Sequence, residues 1–236
     1  MFVISKDEEE EKEEEYDSLY DIEDNTSLDL LFIMDTSGSM IPYISQAKAN
    51  IINIIDRITL ENVGINVSAG LIGYSDINTL ANYTNIDFTQ NHSELKNKLL
   101  KIYPYNGGYD TPEDMAWGFE MALNKSWKSN SRVIILVADS PCHGKKYHTL
   151  EDDYPNGIQS RKNIEESLEV LAKNNTSLYC IRITEFTDKM FKIFENIYKN
   201  YTKCNFTVVN MNNIADLSEI VVNASTNTYI NQRYIE

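Results

Sequence analysis

Asp35, Ser37 and Ser39 stand at alternate positions directly after the apolar run Leu30-Leu31-Phe32-Ile33-Met34. One carboxylate and two hydroxyls spaced in this way can turn to one side of a loop, where their oxygens converge on a hard cation. An all-oxygen set suits Mg²⁺, Ca²⁺ or Mn²⁺ rather than zinc. The same residues also fit a plain strand-to-helix loop in which Ser37 or Ser39 caps the following helix. The run before them lacks the alternation of a half-wet strand and is too short to span a membrane, so it reads as a parallel strand buried on both faces.

The elements that must hold these oxygens follow from periodicity. Ile41, Ile44, Ala47, Ile51, Ile54 or Ile55, and Ile58 recur at helical spacing, which predicts a helix of about eighteen residues with Pro42 in its first turn. Residues 64–74 read as a second strand whose small residues pack closely under a helix, and residues 86–88 as a short edge strand. Residues 93–102 read as a helix capped by Asn91 or Ser93. Thr111-Pro112-Glu113-Asp114 opens a further helix, with Met115, Phe119, Ala122 and Ser126 or Trp127 on one face. Residues 131–138 form a second buried run that again ends in an acid, Asp139. An aperiodic loop (140–157) comes next, then helices over 164–172, 188–201 and 214–225 that alternate with strands over 177–183 and 206–210. This alternation predicts an α/β fold, a doubly wound, mostly parallel six-stranded sheet with helices on both faces. Ligands of such sheets bind beyond the carboxyl ends of the strands, where strand order reverses. With the order 3-2-1-4-5-6, Asp35 and Asp139 end neighbouring strands at that point, and the Thr111 hydroxyl reaches the same place from the loop before strand 4.

Asp-x-Ser-x-Ser after a first strand, a Thr from a later loop and an Asp after the fourth strand resemble the metal-ion-dependent adhesion site of von Willebrand factor A (vWA) domains. The resemblance implies that Ser37, Ser39 and Thr111 touch the metal directly and that Asp35 and Asp139 act largely through water. Gly107-Gly108-Tyr109-Asp110-Thr111-Pro112-Glu113-Asp114, Ala138-Asp139-Ser140-Pro141-Cys142-His143-Gly144-Lys145-Lys146-Tyr147-His148 and Asp152-Asp153-Tyr154-Pro155-Asn156-Gly157 look like the vWA domains attached to alpha-kinases in protists and fungi. That likeness runs from residue 28 to about 225 and leaves no length for a kinase domain. No P-loop or Gly-rich nucleotide signature is present either, so kinase activity is not expected. The implied function is a non-enzymatic interaction module that binds a partner's Asp or Glu through Mg²⁺ (or Mn²⁺ or Ca²⁺). An alternative is a regulatory protein acting with a separate alpha-kinase.

Charge is distributed unevenly. Residues 1–24 hold twelve Asp or Glu and two Lys, hence -10 of the formal -15, and the remaining -5 is ordinary for a globular domain. Residues 1–25 therefore read as a disordered acidic tail ahead of a vWA domain over 26–236. An acidic surface repels phosphate backbones, which argues against nucleic-acid binding. Met1-Phe2-Val3-Ile4 is too short for a signal-peptide core, and no run of eighteen apolar residues occurs, so the expectation is a cytoplasmic protein without membrane insertion. Cys142, Cys180 and Cys204 are odd in number and far apart, as reduced core thiols would be, and the Asn-x-Ser/Thr triplets read as coincidental.

Three other arrangements compete for chemistry. Cys142, His143 and His148 suggest zinc but lack a fourth ligand. Asp76 and Asp110 read either as acids orienting the metal's ligands or as solvated loop residues. A phosphohydrolase using Asp35 as nucleophile would want a second Asp two residues on, where this chain has Ser37, and no GxSxG elbow occurs.

Overall fold

The computed structural model describes residues 27–61, 65–77, 83–104 and 108–211. The acidic tail and the helix expected over 214–225 lie outside the described residues. β1 (Ser27–Asp35), β2 (Asn66–Tyr74), β4 (Ser131–Ala138), β5 (Thr176–Arg182) and β6 (Phe206–Asn210) run parallel, and β3 (Thr84–Thr89) pairs antiparallel at one edge. The sheet order is β3-β2-β1-β4-β5-β6, the order expected for a doubly wound α/β fold.

β1 is the central strand and its two faces feed two cores. Leu28, Leu30, Phe32 and Met34 meet α1 (Ile44–Glu61) and α2 (His92–Leu100) through Ile51, Ile55, Leu95 and Leu99. Leu31 and Ile33 face the opposite side, where α3 (Met115–Leu123), α4 (Ile164–Lys173) and α5 (Asp188–Tyr198) supply Phe119, Leu168 and Phe194. Cys142, Cys180 and Cys204 are free thiols buried in this second core.

Several boundaries differ from the sequence expectation for identifiable reasons. Pro42 does not lie inside α1: Gly38–Met40 wind as a 3-10 turn through Met40 N–H to Ser37 O (3.2 Å) and Ile41 N–H to Gly38 O (3.1 Å). That tighter winding buries Met40 and turns Ile41 outward, 57% exposed. Asn91, not Ser93, caps α2 by accepting the Glu94 N–H at 3.1 Å. α3 ends before Ser126 and Trp127; the Trp127 indole returns to donate to Ala122 O at 2.8 Å. At Gly70 and Gly73 the nearest atoms belong to β3, to Leu31 of β1 and to Thr36. The glycine that admits a helix is Gly118 of α3, where a Cβ would meet Ile33 Cγ2 at 3.0 Å and Tyr74 Cδ1 at 3.4 Å.

Candidate metal site

Where β1 ends, Thr36 fastens the chain to β2: its N–H and its hydroxyl both donate to Tyr74 O, at 2.7 and 2.8 Å. With Thr36 turned to β2, Asp35, Ser37 and Ser39 gather on the other side. The Ser37 N–H donates to Asp35 Oδ1 at 2.8 Å, and Ser37 Oγ lies 2.9 Å from Ser39 Oγ. Asp35 and Ser37 are fully buried while Ser39 is exposed, so the cluster opens to solvent on the Ser39 side.

Asp139 follows β4 directly and is buried beside this turn. Its carbonyl accepts the Thr184 hydroxyl, and its carboxylate receives the hydroxyls of Ser39 and Ser140. Burial, and then the charge of Asp139, pushes the Asp35 carboxyl up to about 8. The structure thus brings Asp35, Ser37, Ser39 and Asp139 together at the carboxyl ends of β1 and β4, the two strands at which the sheet order reverses. Thr111 is half-buried, and its hydroxyl makes no hydrogen bond among the described residues.

A residue the sequence reading assigned no role completes the group. The Glu113 N–H donates to Pro141 O at 2.9 Å, and Glu113 forms an isolated parallel bridge with Cys142, which pins the 112–114 segment to the loop after β4. One residue on, Asp114 caps α3 by accepting the Trp117 N–H (3.1 Å), and Arg161 binds it at 2.7 Å. Held between these anchors, the Glu113 side chain is 3% exposed and hydrogen-bonds Ser37. Burial, then the charges of Asp35, Asp76 and Asp139, push its carboxyl up to about 11. The one sequence signal for it was an acid fixed between a proline and a helix cap.

The fit to a cation rests on unpartnered oxygens. Asp35 Oδ2, Glu113 Oε2 and Asp139 Oδ1 are all buried without a hydrogen-bond partner. No Lys or Arg among the described residues forms an ion pair with any of the three. The hydroxyls of Ser37, Ser39 and Ser140 leave these three oxygens unmet, and buried acids without counter-charge are costly in the ionised state. An oxygen-lined space of this kind fits a divalent hard cation.

A second cluster adjoins it. His143 Nε2 lies 2.9 Å from Asp76 Oδ1 and His143 Nδ1 2.8 Å from Asp152 Oδ1. Asp110 Oδ2 stands 3.9 Å from Nδ1 and accepts the Asp153 N–H at 2.7 Å. Asp76 is therefore a buried partner of His143 and not a solvated loop acid. Cys142, His143 and His148 do not converge as a zinc set. The donor atoms that gather among the described residues are those of Asp76, Asp110 and His143, whereas Cys142 packs in the core. His148 accepts the Leu150 N–H at 3.2 Å through Nδ1 and faces Asp152 Oδ2 at 3.2 Å through Nε2.

Comparison with known proteins agrees with this architecture. Residues 29–220 match the von Willebrand factor type A domain. The chain is 32% identical over 179 residues to the alpha-protein kinase vwkA of Dictyostelium discoideum, an alignment spanning 75% of this chain and 28% of the kinase's length. Among solved structures, the SpRpn10 VWA domain superposes with a TM-score of 0.54 at 14% identity, covering 80% of this chain and 92% of that one. Proximal thread matrix protein 1 from the mussel byssus, solved with a zinc-occupied MIDAS motif, superposes with a TM-score of 0.56 at 17% identity. That match covers 86% of this chain and 46% of that one.

Proposed function

The chain belongs to the von Willebrand factor type A family, and from that premise we propose that it is a metal-dependent protein-interaction module. In this reading Asp35, Ser37, Ser39, Thr111 and Asp139 hold Mg²⁺, Mn²⁺ or Ca²⁺, and the cation takes a carboxylate from an Asp or Glu of a partner protein. The observation that carries the proposal is the set of unpartnered buried carboxylate oxygens beside an exposed serine, an arrangement with a charged interior and one open side. A zinc-occupied motif in the mussel thread protein supports a divalent ion at this position.

The surroundings suit a protein ligand. Ile41 and Tyr109, 57% and 97% exposed, sit two residues from Ser39 and Thr111 respectively, and so supply apolar contact near the mouth. A single carboxylate-to-cation contact first has to displace water from the metal, so such neighbours must supplement it. Among the described residues no helix is long and apolar enough to cross a membrane, and the reading places the module in the cytoplasm. The 32% identity to vwkA favours a second reading of the same surface, in which it regulates an alpha-kinase.

The test is capture of a carboxylate-bearing partner by the wild-type chain in Mg²⁺ and in chelator, beside Ser37→Ala and Thr111→Ala, and with Glu→Gln at one acidic position of the partner. The complex should vanish in every arm but the first. A complex that persists in chelator overturns the proposal. Turnover of a fluorogenic phosphate ester that depends on Asp35 would replace it with an enzymatic reading.

A further inference from the structure

We propose that the cavity walled by the 140–157 loop and the starts of α3 and α4 binds a small organic anion with an aromatic body, at a place separate from the cation. None of Asp35, Ser37, Ser39, Thr111 and Asp139 lines this cavity, so the inference stands apart from the metal-site reading.

The cavity is preformed. Residues 140–157 carry no helical or strand period, yet the loop is held by its own backbone: Lys145 N–H donates to Pro155 O (2.9 Å), Tyr147 N–H to Gly144 O (2.9 Å) and Gly157 N–H to Tyr154 O (2.8 Å). The Asp152 carboxylate accepts the Gly144 and Tyr154 N–H groups at 2.7 and 2.8 Å. Gly157 lines the cavity, and a Cβ added to it would meet nothing within 4 Å, so the space beside the backbone is free. The cavity volume is about 540 Å³, inside the range of roughly 300–1,000 Å³ typical of small-molecule sites.

Its lining has two characters. Ala116, Cys142, Tyr147, Ile158 and Ile164 form an apolar floor, in which all but Ala116 are buried. The Tyr147 hydroxyl donates to Glu165 Oε1 at 3.0 Å, which fixes its ring as a flat wall. Lys145, Lys146, Arg161 and Lys162 contribute the cationic part. Lys146 pairs with Glu165 and Arg161 with Asp114. Lys145 donates to the neutral Leu150 O at 2.5 Å, and neither it nor Lys162 pairs with an acid among the described residues. Both are exposed, so two positive charges stay uncompensated at the rim in a chain of formal net charge -15. The acids of the wall do not cancel them: Lys146 neutralises Glu165, and Glu113 hydrogen-bonds Ser37.

This pairing of surfaces selects a ligand class. An aromatic ring displaces water from the Tyr147, Ile158 and Ile164 floor, while a carboxylate or phosphate on it meets Lys145 and Lys162. Inorganic phosphate would leave the floor wet. A neutral aromatic molecule would leave the two ammonium groups without a partner.

The experiment is calorimetric titration of phenyl phosphate and of benzoate into the chain in chelator, so that no metal can take the anion. The wild type should bind with Kd on the order of 1 mM, ordinary for a ligand of about ten heavy atoms. Benzyl alcohol and inorganic phosphate should each bind about tenfold more weakly, the loss of roughly 1.4 kcal/mol. Lys145→Gln and Lys162→Gln should each weaken the aromatic anions by about fivefold, the effect of one charge at contact distance in water. Lys98→Gln, on α2 across the sheet, should not weaken them. Ala116→Phe, which fills the floor, should abolish binding, with thermal melting of every variant as the fold control. Either order of affinity between phenyl phosphate and benzoate supports the proposal and tells whether the anion is a phosphate ester or a carboxylate. Benzyl alcohol binding as well as phenyl phosphate would overturn it in favour of a merely apolar pocket. Inorganic phosphate binding equally well, untouched by Ala116→Phe, would overturn it in favour of a charged surface, and so would the absence of binding by both aromatic anions in favour of an empty space. If Ala116→Phe melts well below the wild type, Lys162→Glu decides, because that side chain is exposed, and wild-type affinity in it overturns the proposal.

Discussion

Ser37 Oγ and Ser39 Oγ lie 2.9 Å apart, the first fully buried and the second exposed. The pair thus spans the boundary between the core and solvent at the end of the central strand. Each hydroxyl has one proton to give, yet Asp35, Glu113 and Asp139 all draw on them. One of the two protons is engaged between the hydroxyls themselves, so the carboxylates are left short of donors, an arrangement that a cation resolves and a proton only partly does.

Mg²⁺ or Mn²⁺ should therefore stabilise the fold. A cation that binds only the native state adds RT ln(1 + [L]/Kd), about 2.7 kcal/mol at a hundredfold excess over Kd. For a domain of this size that is a rise of roughly 5–10 °C in melting temperature. Asp35→Asn keeps an oxygen for the Ser37 N–H but loses the charge, and should erase most of the gain. Identical melting of the wild type in metal and in chelator would rule the site out.

Cation binding should also release protons. The ordinary Asp pKa of 3.8 rises to about 8 at Asp35, and Glu113 rises to about 11, in both cases first through burial. Between those limits the metal-free fold holds protons that the unfolded chain has lost. The stability that protonated Asp35 allows is complete below pH 4 and is lost as pH climbs toward 8. A metal replaces the proton, so affinity should increase as pH rises from 6 to 8. Calorimetry at pH 7 in two buffers of different ionisation enthalpy checks this: equal apparent heats would mean that no proton leaves.

His143 should act as a pH-dependent clasp on the 140–157 loop. Burial disfavours its charged form, but hydrogen bonds to Asp76 and Asp152 outweigh that and raise its pKa. Both ring nitrogens face carboxylates, which suits the doubly protonated ring. The stabilisation is complete below the ordinary 6.5 and is lost as pH rises through the higher folded-state value. The melting advantage of the wild type over His143→Gln should shrink between pH 6 and 9. Exchange at the Gly144 amide, which donates to Asp152 Oδ2 at 2.7 Å, should accelerate over the same range. A difference that stays constant with pH would show that the ring acts only by packing.

Much of the fold was legible because β1 and β4 are apolar on both faces and end in acids, a pattern that only a central parallel strand satisfies. Asp35, Ser37 and Ser39 could be read as a group because they are neighbours in the chain. Glu113 could not: its place depends on a bridge to Cys142 across 29 residues, and nothing in Thr-Pro-Glu-Asp tells which acid turns inward and which caps the helix. His143 was hidden similarly, since its partners Asp76 and Asp152 come from separate loops. Ile41 was misplaced because a helical period was extended through residues that wind as a 3-10 turn.

Asp29, which immediately precedes the apolar run Leu30–Met34, supplies the last prediction. It is buried within β1 and accepts the Lys128 N–H (2.6 Å), the Ser129 N–H (2.8 Å) and the Ser129 hydroxyl (2.9 Å), thereby anchoring the segment that leads into β4. Asp29→Ala strands the two donors of buried Ser129 and removes the acceptor of the Lys128 N–H. Hydrogen bonds to a charged group contribute about 1.5–3 kcal/mol each, and unmet donors add their own desolvation cost. The loss should be about 3 kcal/mol, read as a lower urea midpoint with an unchanged slope. Asp29→Asn retains one acceptor oxygen and should lose less. Because Asp29 and Asp35 are six residues apart on an extended strand, roughly 20 Å, the two sites should not couple. The melting increment from Mg²⁺ should therefore survive in Asp29→Ala, and its loss there would mean that the two ends of β1 respond as one unit.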